Sequence, residues 1–370
     1  MPAAQVGSIE SVKLIVSLDK EYTEPQAIIL TGPIKEIVFP NADLKRLKPE
    51  TAYFAKVTYT LKRKQESLPA EMTFSTTAMQ YVGAPLPPSA FTKADSPSID
   101  LYPAWAQDGK TLFFSSNATD ESQQVFEIFS KRTDRLGQTN KITSSMSKSS
   151  DTKPSAGPGA ETVTYLSSRI GVFNIWSVKT GESQNKAPMQ LTQFESLPIH
   201  WISCAKDGKK IIYCREKLAS KRKGNSTDLA IWMLNVSDGV NTLLEVEGTQ
   251  VKVSPDGEKI LYVSDKQGSL DIWMYDLSKS SVSSLVVDPN VIDTDPTWSK
   301  DGNSIIYSSN KTGNFDLWIM NIREDKKRPL TNSLADERYP DCNPVTNEVV
   351  YCSDETDIWK LHKIVLPEEQ

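Results

Sequence analysis

Four cysteines and two histidines carry most of the reactive side-chain chemistry in this sequence. Cys204 and Cys214 stand ten residues apart around Lys206-Asp207-Gly208, and Cys342 and Cys352 stand ten apart around Val345-Thr346-Asn347. Aligned on the repeat described below, the two pairs take the places of Trp105/Ser115 and Trp298/Ser308, which read as facing positions on neighbouring strands. Two such replacements, with no cysteine left over, predict two disulfides, Cys204–Cys214 and Cys342–Cys352. The alternative is four small thiols filling a core layer, because free Cys packs as a small hydrophobe. Disulfides would place the chain in an oxidising compartment: periplasm, cell surface or exterior.

Other reactive constellations are sparse. His200 and His362 each fall in or beside a predicted strand, far apart in sequence. No G-x-S-x-G elbow supports a nucleophilic serine, and no Gly-rich phosphate loop or H-E-x-x-H is present. Zinc would need clustered His and Cys, and the cysteines already pair among themselves. Asp271, Asp316 and Asp357 each lie two places before a Trp, where a carboxylate can accept loop amides; calcium would need six to eight converging oxygens. No catalytic residue, metal or cofactor is therefore expected, and chemistry by channel carboxylates stays open as a third reading.

Charge narrows the partners. Lys+Arg 42 against Asp+Glu 47 gives a net charge of -5, which argues against nucleic acid. No apolar run reaches the roughly 20 residues of a membrane helix, so membrane attachment would come only through a lipid anchor. One basic insertion, with Lys217, Lys221, Arg222 and Lys223, reads either as a ligand-binding loop for an acidic partner or as a solvated loop.

The elements that must position these groups are short strands. Asp295 to Trp318, DPTWSKDGNSIIYSSNKTGNFDLW, contains three strands and an Asp-Gly turn. The pattern recurs with turns at Gln107-Asp108-Gly109, Gly157-Pro158-Gly159, Lys206-Asp207-Gly208, Pro255-Asp256-Gly257, Lys300-Asp301-Gly302 and, degenerate, Val345-Thr346-Asn347. Third strands carry Phe129, Trp176, Trp232, Trp273, Trp318 and Trp359, and the Trp spacings of 56, 41, 45 and 41 suit one four-stranded blade each. The last repeat ends after its third strand, while an orphan outer strand near Ala90 to Thr92 precedes the first. Joining the two closes a ring of six blades and leaves no bare edge.

Residues 1–80 lack the repeat and read as a small sandwich, with strands at 12–18, 27–30, 34–39, 53–61 and 71–76. Residues 81–88 form a Pro-rich linker and 89–370 the propeller. The expected fold class is all-β: a small immunoglobulin-like sandwich followed by a six-bladed β-propeller closed by an N-terminal outer strand.

Two stretches carry family resemblance. Leu47-Lys48-Pro49-Glu50-Thr51-Ala52-Tyr53 resembles the end of a fibronectin type III domain, which implies a tyrosine-corner role for Tyr53. P-x-W-S-x-D-G-x-x-I-x-Y-x-S followed by G-x-x-D-[IL]-W resembles the WD40-like repeat of TolB-type propellers, also found in the propellers of prolyl oligopeptidase-family enzymes. The order of the two domains resembles spirochaetal surface lipoproteins. These resemblances imply a non-enzymatic, extracytoplasmic binding protein, with a protein or glycan ligand, host extracellular ones included, at a loop face or the channel mouth. A periplasmic TolB-like component of an envelope complex is the alternative they leave open.

Overall fold

The computed structural model describes the backbone of residues 9–17, 26–31, 52–61 and 70–75, and residues 88–93, 96–119, 124–133, 139–144, 149–158, 161–180, 187–216 and 229–367 in full. The chain divides into two compact units, Met1–Val82 and Gly83–Gln370. In the first, β1 (Ile9–Ser17), β2 (Gln26–Thr31), β3 (Ala52–Leu61) and β4 (Ala70–Ser75) form one antiparallel sheet in the order β2-β1-β3-β4. The strand expected at 34–39, the linker at 81–87, the second layer of a sandwich and the Tyr53 side chain lie outside the described residues. Among those residues no helix is long and apolar enough to cross a membrane.

The second unit is a six-bladed propeller. Its first outer strand is β5 (Ser89–Ala90). Blade 1 comprises β6 (Asp100–Trp105), β7 (Thr111–Ser116), β8 (Glu127–Arg132) and β9 (Thr139–Lys141), and blade 2 β10 (Asp151–Ala156), β11 (Thr162–Ser167), β12 (Asn174–Lys179) and β13 (Met189–Gln190). Blade 3 comprises β14 (Ile199–Cys204), β15 (Lys210–Glu216), β16 (Leu229–Asn235) and β17 (Asn241–Glu247), and blade 4 β18 (Thr249–Val253), β19 (Lys259–Ser264), β20 (Asp271–Asp276) and β21 (Ser281–Val286). Blade 5 comprises β22 (Asp293–Trp298), β23 (Ser304–Ser309), β24 (Asp316–Asn321) and β25 (Lys326–Pro329). Blade 6 comprises β26 (Glu337–Cys342), β27 (Glu348–Ser353) and β28 (Lys360–Val365), and β5 completes it as the expected fourth strand. His362 pairs with Ala90 and Lys363 with Ser89, and the amides of Phe91 and Thr92 both donate to Leu361 O. The ring is therefore closed by residues about 270 positions apart in sequence.

The core lies between blades. Each second strand buries an aromatic at the same place, Phe114, Tyr165, Tyr213, Tyr262, Tyr307 and Tyr351, all at most 2% exposed. Register places Phe129, Trp176, Trp232, Trp273 and Trp318 opposite the first five. In blade 6 the partner of Tyr351 is His362, not Trp359, which precedes β28. The Asp-Ile-Trp at 357–359 lies on the turn before the strand, with Asp357 at φ 62°, so the sequence expectation for this blade is offset by three residues. Lys360 takes the strand-opening place that Asp271 and Asp316 hold in blades 4 and 5. The Asp-Gly turns form as expected, with Gly109, Gly208, Gly257 and Gly302 at positive φ and Asp108, Asp207, Asp256 and Asp301 accepting amides of their own turns.

Candidate ligand-binding channel

The six inner strands bring one residue each to a common tier of the channel: Tyr102, Lys153, Trp201, Gln250, Asp295 and Tyr339. Each inner strand is interrupted by a register shift at this level. Five of the six residues adopt left-handed backbone, with φ of 55° at Tyr102, 50° at Lys153, 53° at Gln250, 53° at Asp295 and 55° at Tyr339. For a non-glycine residue this costs about 1–2 kcal/mol. The interruption turns the side chain toward the channel, and interblade bonds hold the bulge. Lys153 N donates to Ser115 Oγ at 3.0 Å, and Asp295 N donates to Gln250 Oε1 at 2.8 Å.

The tier has an aromatic half and a polar half. Tyr102 meets Trp201 edge-on at 5.6 Å and Tyr339 at 4.6 Å, and Trp201 and Tyr339 are 6.0 Å apart. Lys153 Nζ lies 4.9 Å from the Trp201 ring and 5.3 Å from Tyr102, and donates to His200 O at 2.8 Å. Burial lowers the Lys153 pKa and raises those of Tyr102 and Tyr339. In the polar half Asp295 accepts Gln250 Nε2 at 2.5 Å and Arg338 Nε. Burial works to lower the Arg338 pKa, but the adjacent Asp295 carboxylate outweighs it and the net shift is upward.

A second tier follows toward the Asp-Gly turns: Ala104, Ser155, Ser203, Lys252, Thr297 and Asp341. Here side chains clasp the next blade. Ser155 Oγ accepts Cys204 N at 2.9 Å, Ser203 Oγ accepts Val253 N at 3.0 Å, and Asp341 Oδ2 accepts Trp105 N at 2.7 Å. Asp341 Oδ1 also takes Lys252 Nζ at 2.5 Å and Thr297 Oγ1 at 3.3 Å. A cavity of about 50 Å³ lies between the tiers, and one of about 110 Å³ lies on the turn side.

The expected disulfides are not present: all four thiols are free. Register explains it. Cys204 faces Ile211 and Cys214 faces Trp201; Cys342 faces Val349 and Cys352 faces Arg338. A spacing of ten around these turns is three residues from a facing pair, so the four thiols pack as small core groups. Cys214 and Cys352 replace the serine that Ser115 and Ser308 represent in other blades. Burial raises every thiol pKa, to about 11 for Cys214 and, with Asp341 adding to burial, about 12 for Cys342, which leaves them protonated and unreactive. The argument from disulfides to an oxidising compartment falls with them.

Lys217, Lys221, Arg222 and Lys223 lie outside the described residues. Asp271 and Asp316 do accept amides, but from the loop after the strand: Asp288 N at 3.2 Å and Ser333 N at 3.0 Å. His200 bonds Glu216 at 3.0 Å, while burial lowers the pKa of His362 beside Tyr351. Among the described residues no three His, Cys, Asp or Glu side chains cluster as metal ligands. Sequence reasoning did not find the two tiers. Their signal is positional: the third and fifth residues of five inner strands, and the second and fourth of the shorter β18.

Comparison with known proteins now places the fold. Residues 218–366 match the family profile PD40, the TolB beta propeller domain. No curated protein sequence matches the chain. Among solved structures, TolB from Acinetobacter baumannii is similar with a TM-score of 0.52 and 16% identity, over 90% of this chain and 84% of that one. An oligogalacturonate lyase in complex with manganese is similar with a TM-score of 0.53 and 12% identity, over 78% of this chain and 96% of the other. The β-propeller domain of the Trilobed protease from Pyrococcus furiosus, described as having an open velcro topology, gives 0.50 and 15% over 88% and 95%. At these identities the likeness concerns the fold. The second unit of this chain is a six-bladed β-propeller closed by β5, and its residues 218–366 match the PD40 TolB beta propeller domain.

Proposed function

We propose that this chain is a non-enzymatic binding protein of the bacterial envelope, working outside the cytoplasm as a TolB-like component whose channel receives a protein ligand. The observation that carries the reading is the tier of Tyr102, Lys153, Gln250, Asp295 and Tyr339 in left-handed backbone around one axis. Strain repeated at a single level of a channel fits a recognition surface, because packing alone would be met by relaxed strands. The TolB-like repeats support the envelope setting.

Turnover by channel carboxylates is the competing reading, and the contacts favour it less. Asp295 is held by Gln250 and Arg338, and Asp341 by Lys252, Thr297 and the Trp105 amide. Each carboxylate is already engaged by donors of the protein itself, which disfavours acid–base work on a glycan.

The test is capture and cross-linking from bacterial envelope extracts, comparing wild type with a Trp201→Ala, Tyr339→Ala double variant whose folding is checked by circular dichroism. A specific protein captured by the wild type and lost from the folded variant is the expected result. No specific capture, or equal capture by both, counts against the reading.

A further inference from the structure

One column of the repeat rims the turn-side end of the channel: the residue opening the turn between first and second strands. Gln107, Lys206, Pro255, Lys300 and Pro344 hold that column, and all border the cavity of about 110 Å³. Lys206 and Lys300 come from blades 3 and 5, on either side of blade 4, and Lys252 of blade 4 lines the same cavity one tier in. Three ammonium groups thus border the cavity against one carboxylate, Asp341, in a chain of net charge -5.

Within the cavity the balance is not redressed; Asp256 and Glu258 share a separate groove with Lys206 outside it. Asp341 is engaged by Lys252, Thr297 and Trp105 N. Asp207 and Asp301, which follow the two rim lysines, accept Lys209 N at 2.9 Å and Asn303 N at 3.1 Å within their own turns. Lys206 and Lys300 form no ion pair among the described residues. The hydroxyl oxygens of Ser155 and Ser203 accept interblade amides, which holds them at the cavity wall. A low-dielectric wall that includes Trp105 and Trp298 strengthens attraction for an anion at such a mouth.

We infer that the turn-side mouth is a receptor for carboxylate groups, presented by an acidic peptide segment to Lys206, Lys300 and Lys252. This rests on the reading of the propeller as a binding protein and names the chemistry of its ligand. The cavity takes a carboxylate head group and excludes a folded domain. The remainder of the segment lies across the rim over Pro255 and Pro344.

Titration calorimetry of the full chain with capped hexaglutamate, hexaglutamine and inorganic phosphate tests it. Hexaglutamate is expected to bind in about 50 mM salt, hexaglutamine not to bind, and phosphate to bind at least tenfold more weakly than hexaglutamate. Raising salt to about 0.5 M should weaken binding about tenfold, because rim charges are screened within a few ångströms there. A Lys206→Gln, Lys300→Gln double variant should lose at least tenfold. Lys279→Gln, which removes an exposed lysine paired with Asp276, should lose nothing. Absence of hexaglutamate binding, equal binding by the double variant, or phosphate binding as tight as the peptide overturns the inference. So does full retention by the double variant of a partner that wild type captures from envelope extracts, and that outcome leaves the binding-protein reading standing.

Discussion

The two junctions flanking blade 6 occupy the same places in the repeat and use opposite chemistry. Where blade 5 meets blade 6, the strand-opening residues are two acids, Asp316 and Glu337, both at most 2% exposed. Thr312 and Thr331 donate to them, and burial pushes their pKa values up, to about 7 and about 8. Blades 4 and 5 meet in the same way through Asp271 and Asp293, where burial lifts Asp293 to about 6. Where blade 6 meets blade 1, the corresponding residues are Lys360 and Asp100, 3.8 Å apart and equally buried, with Lys360 Nζ also donating to Ser98. The 4–5 and 5–6 junctions, between blades consecutive in sequence, set acid beside acid. The closing one, made by the two ends of the propeller, carries opposite charges, which fixes which edges join.

Removing one member should separate the junctions most. Lys360→Met leaves Asp100 buried with, among the described residues, the Ser98 and Ser116 hydroxyls as side-chain partners, and breaking a buried pair from one side costs about 3–5 kcal/mol. Glu337→Gln at pH 7 replaces a protonated acid with an isosteric amide and should change stability by under about 1 kcal/mol. Urea midpoints and slopes for the two variants measure the contrast. Equal losses would remove the distinction between the junctions.

The acid junctions should also respond to pH in a direction opposite to ordinary surface carboxylates. Folded pKa values raised above those of the unfolded chain mean that the folded state binds more protons. Its stability is complete at low pH and declines as pH rises through about 6 to 8. His362, whose pKa is lowered by burial, acts in the other sense below about 6.5, and the thiols titrate in the unfolded chain near 8.5. Between pH 6.5 and 8 the acids dominate, and stability should fall by about 2 kcal/mol. In an Asp316→Asn, Glu337→Gln variant the slope should flatten, whereas a Lys360→Met variant should keep it. Thermal melts across that window decide it; a slope unchanged in the double acid variant would refute the assignment.

What could be read from the sequence follows from which residues obey local rules. Asp-Gly pairs impose positive φ wherever they occur, so the turns, the blade count and the orphan strand at Ala90 were legible. Register was not. In blade 6 the Asp357-Ile358-Trp359 signature lies on a turn, and the strand opens at Lys360, because pairing with Ser353 is satisfied there. The cysteine spacing misled for the same reason, since a facing pair is set by turn length, which a count of residues between cysteines does not reveal. The channel tiers were hidden by the bulges. Tyr102 and Ala104 keep a spacing of two, but the left-handed residue and the register shift between Leu101 and Ala104 reset the pairing with β7 at that point. That reset depends on the neighbouring blade's hydroxyl or amide, a contact from dozens of residues away.

The smallest expected effect concerns the repeat place next to these junctions that Ser308 holds in blade 5 and Cys352 in blade 6. Both side chains are fully buried, and each is the penultimate residue of its second strand. Ser308 Oγ has no hydrogen-bond partner among the described residues, while Cys352, a weaker donor and acceptor, stands beside the Tyr102 amide at the closing junction. A buried hydroxyl without a partner costs about 1–3 kcal/mol, and a thiol in the same place costs less. Ser308→Cys should therefore stabilise the propeller by roughly 1 kcal/mol, and Cys352→Ser should destabilise it by a similar amount. Added reductant should change neither value, because no disulfide contributes. If Ser308→Cys instead destabilises, the two junctions differ in packing volume as well as in charge, and the serine is retained for its size.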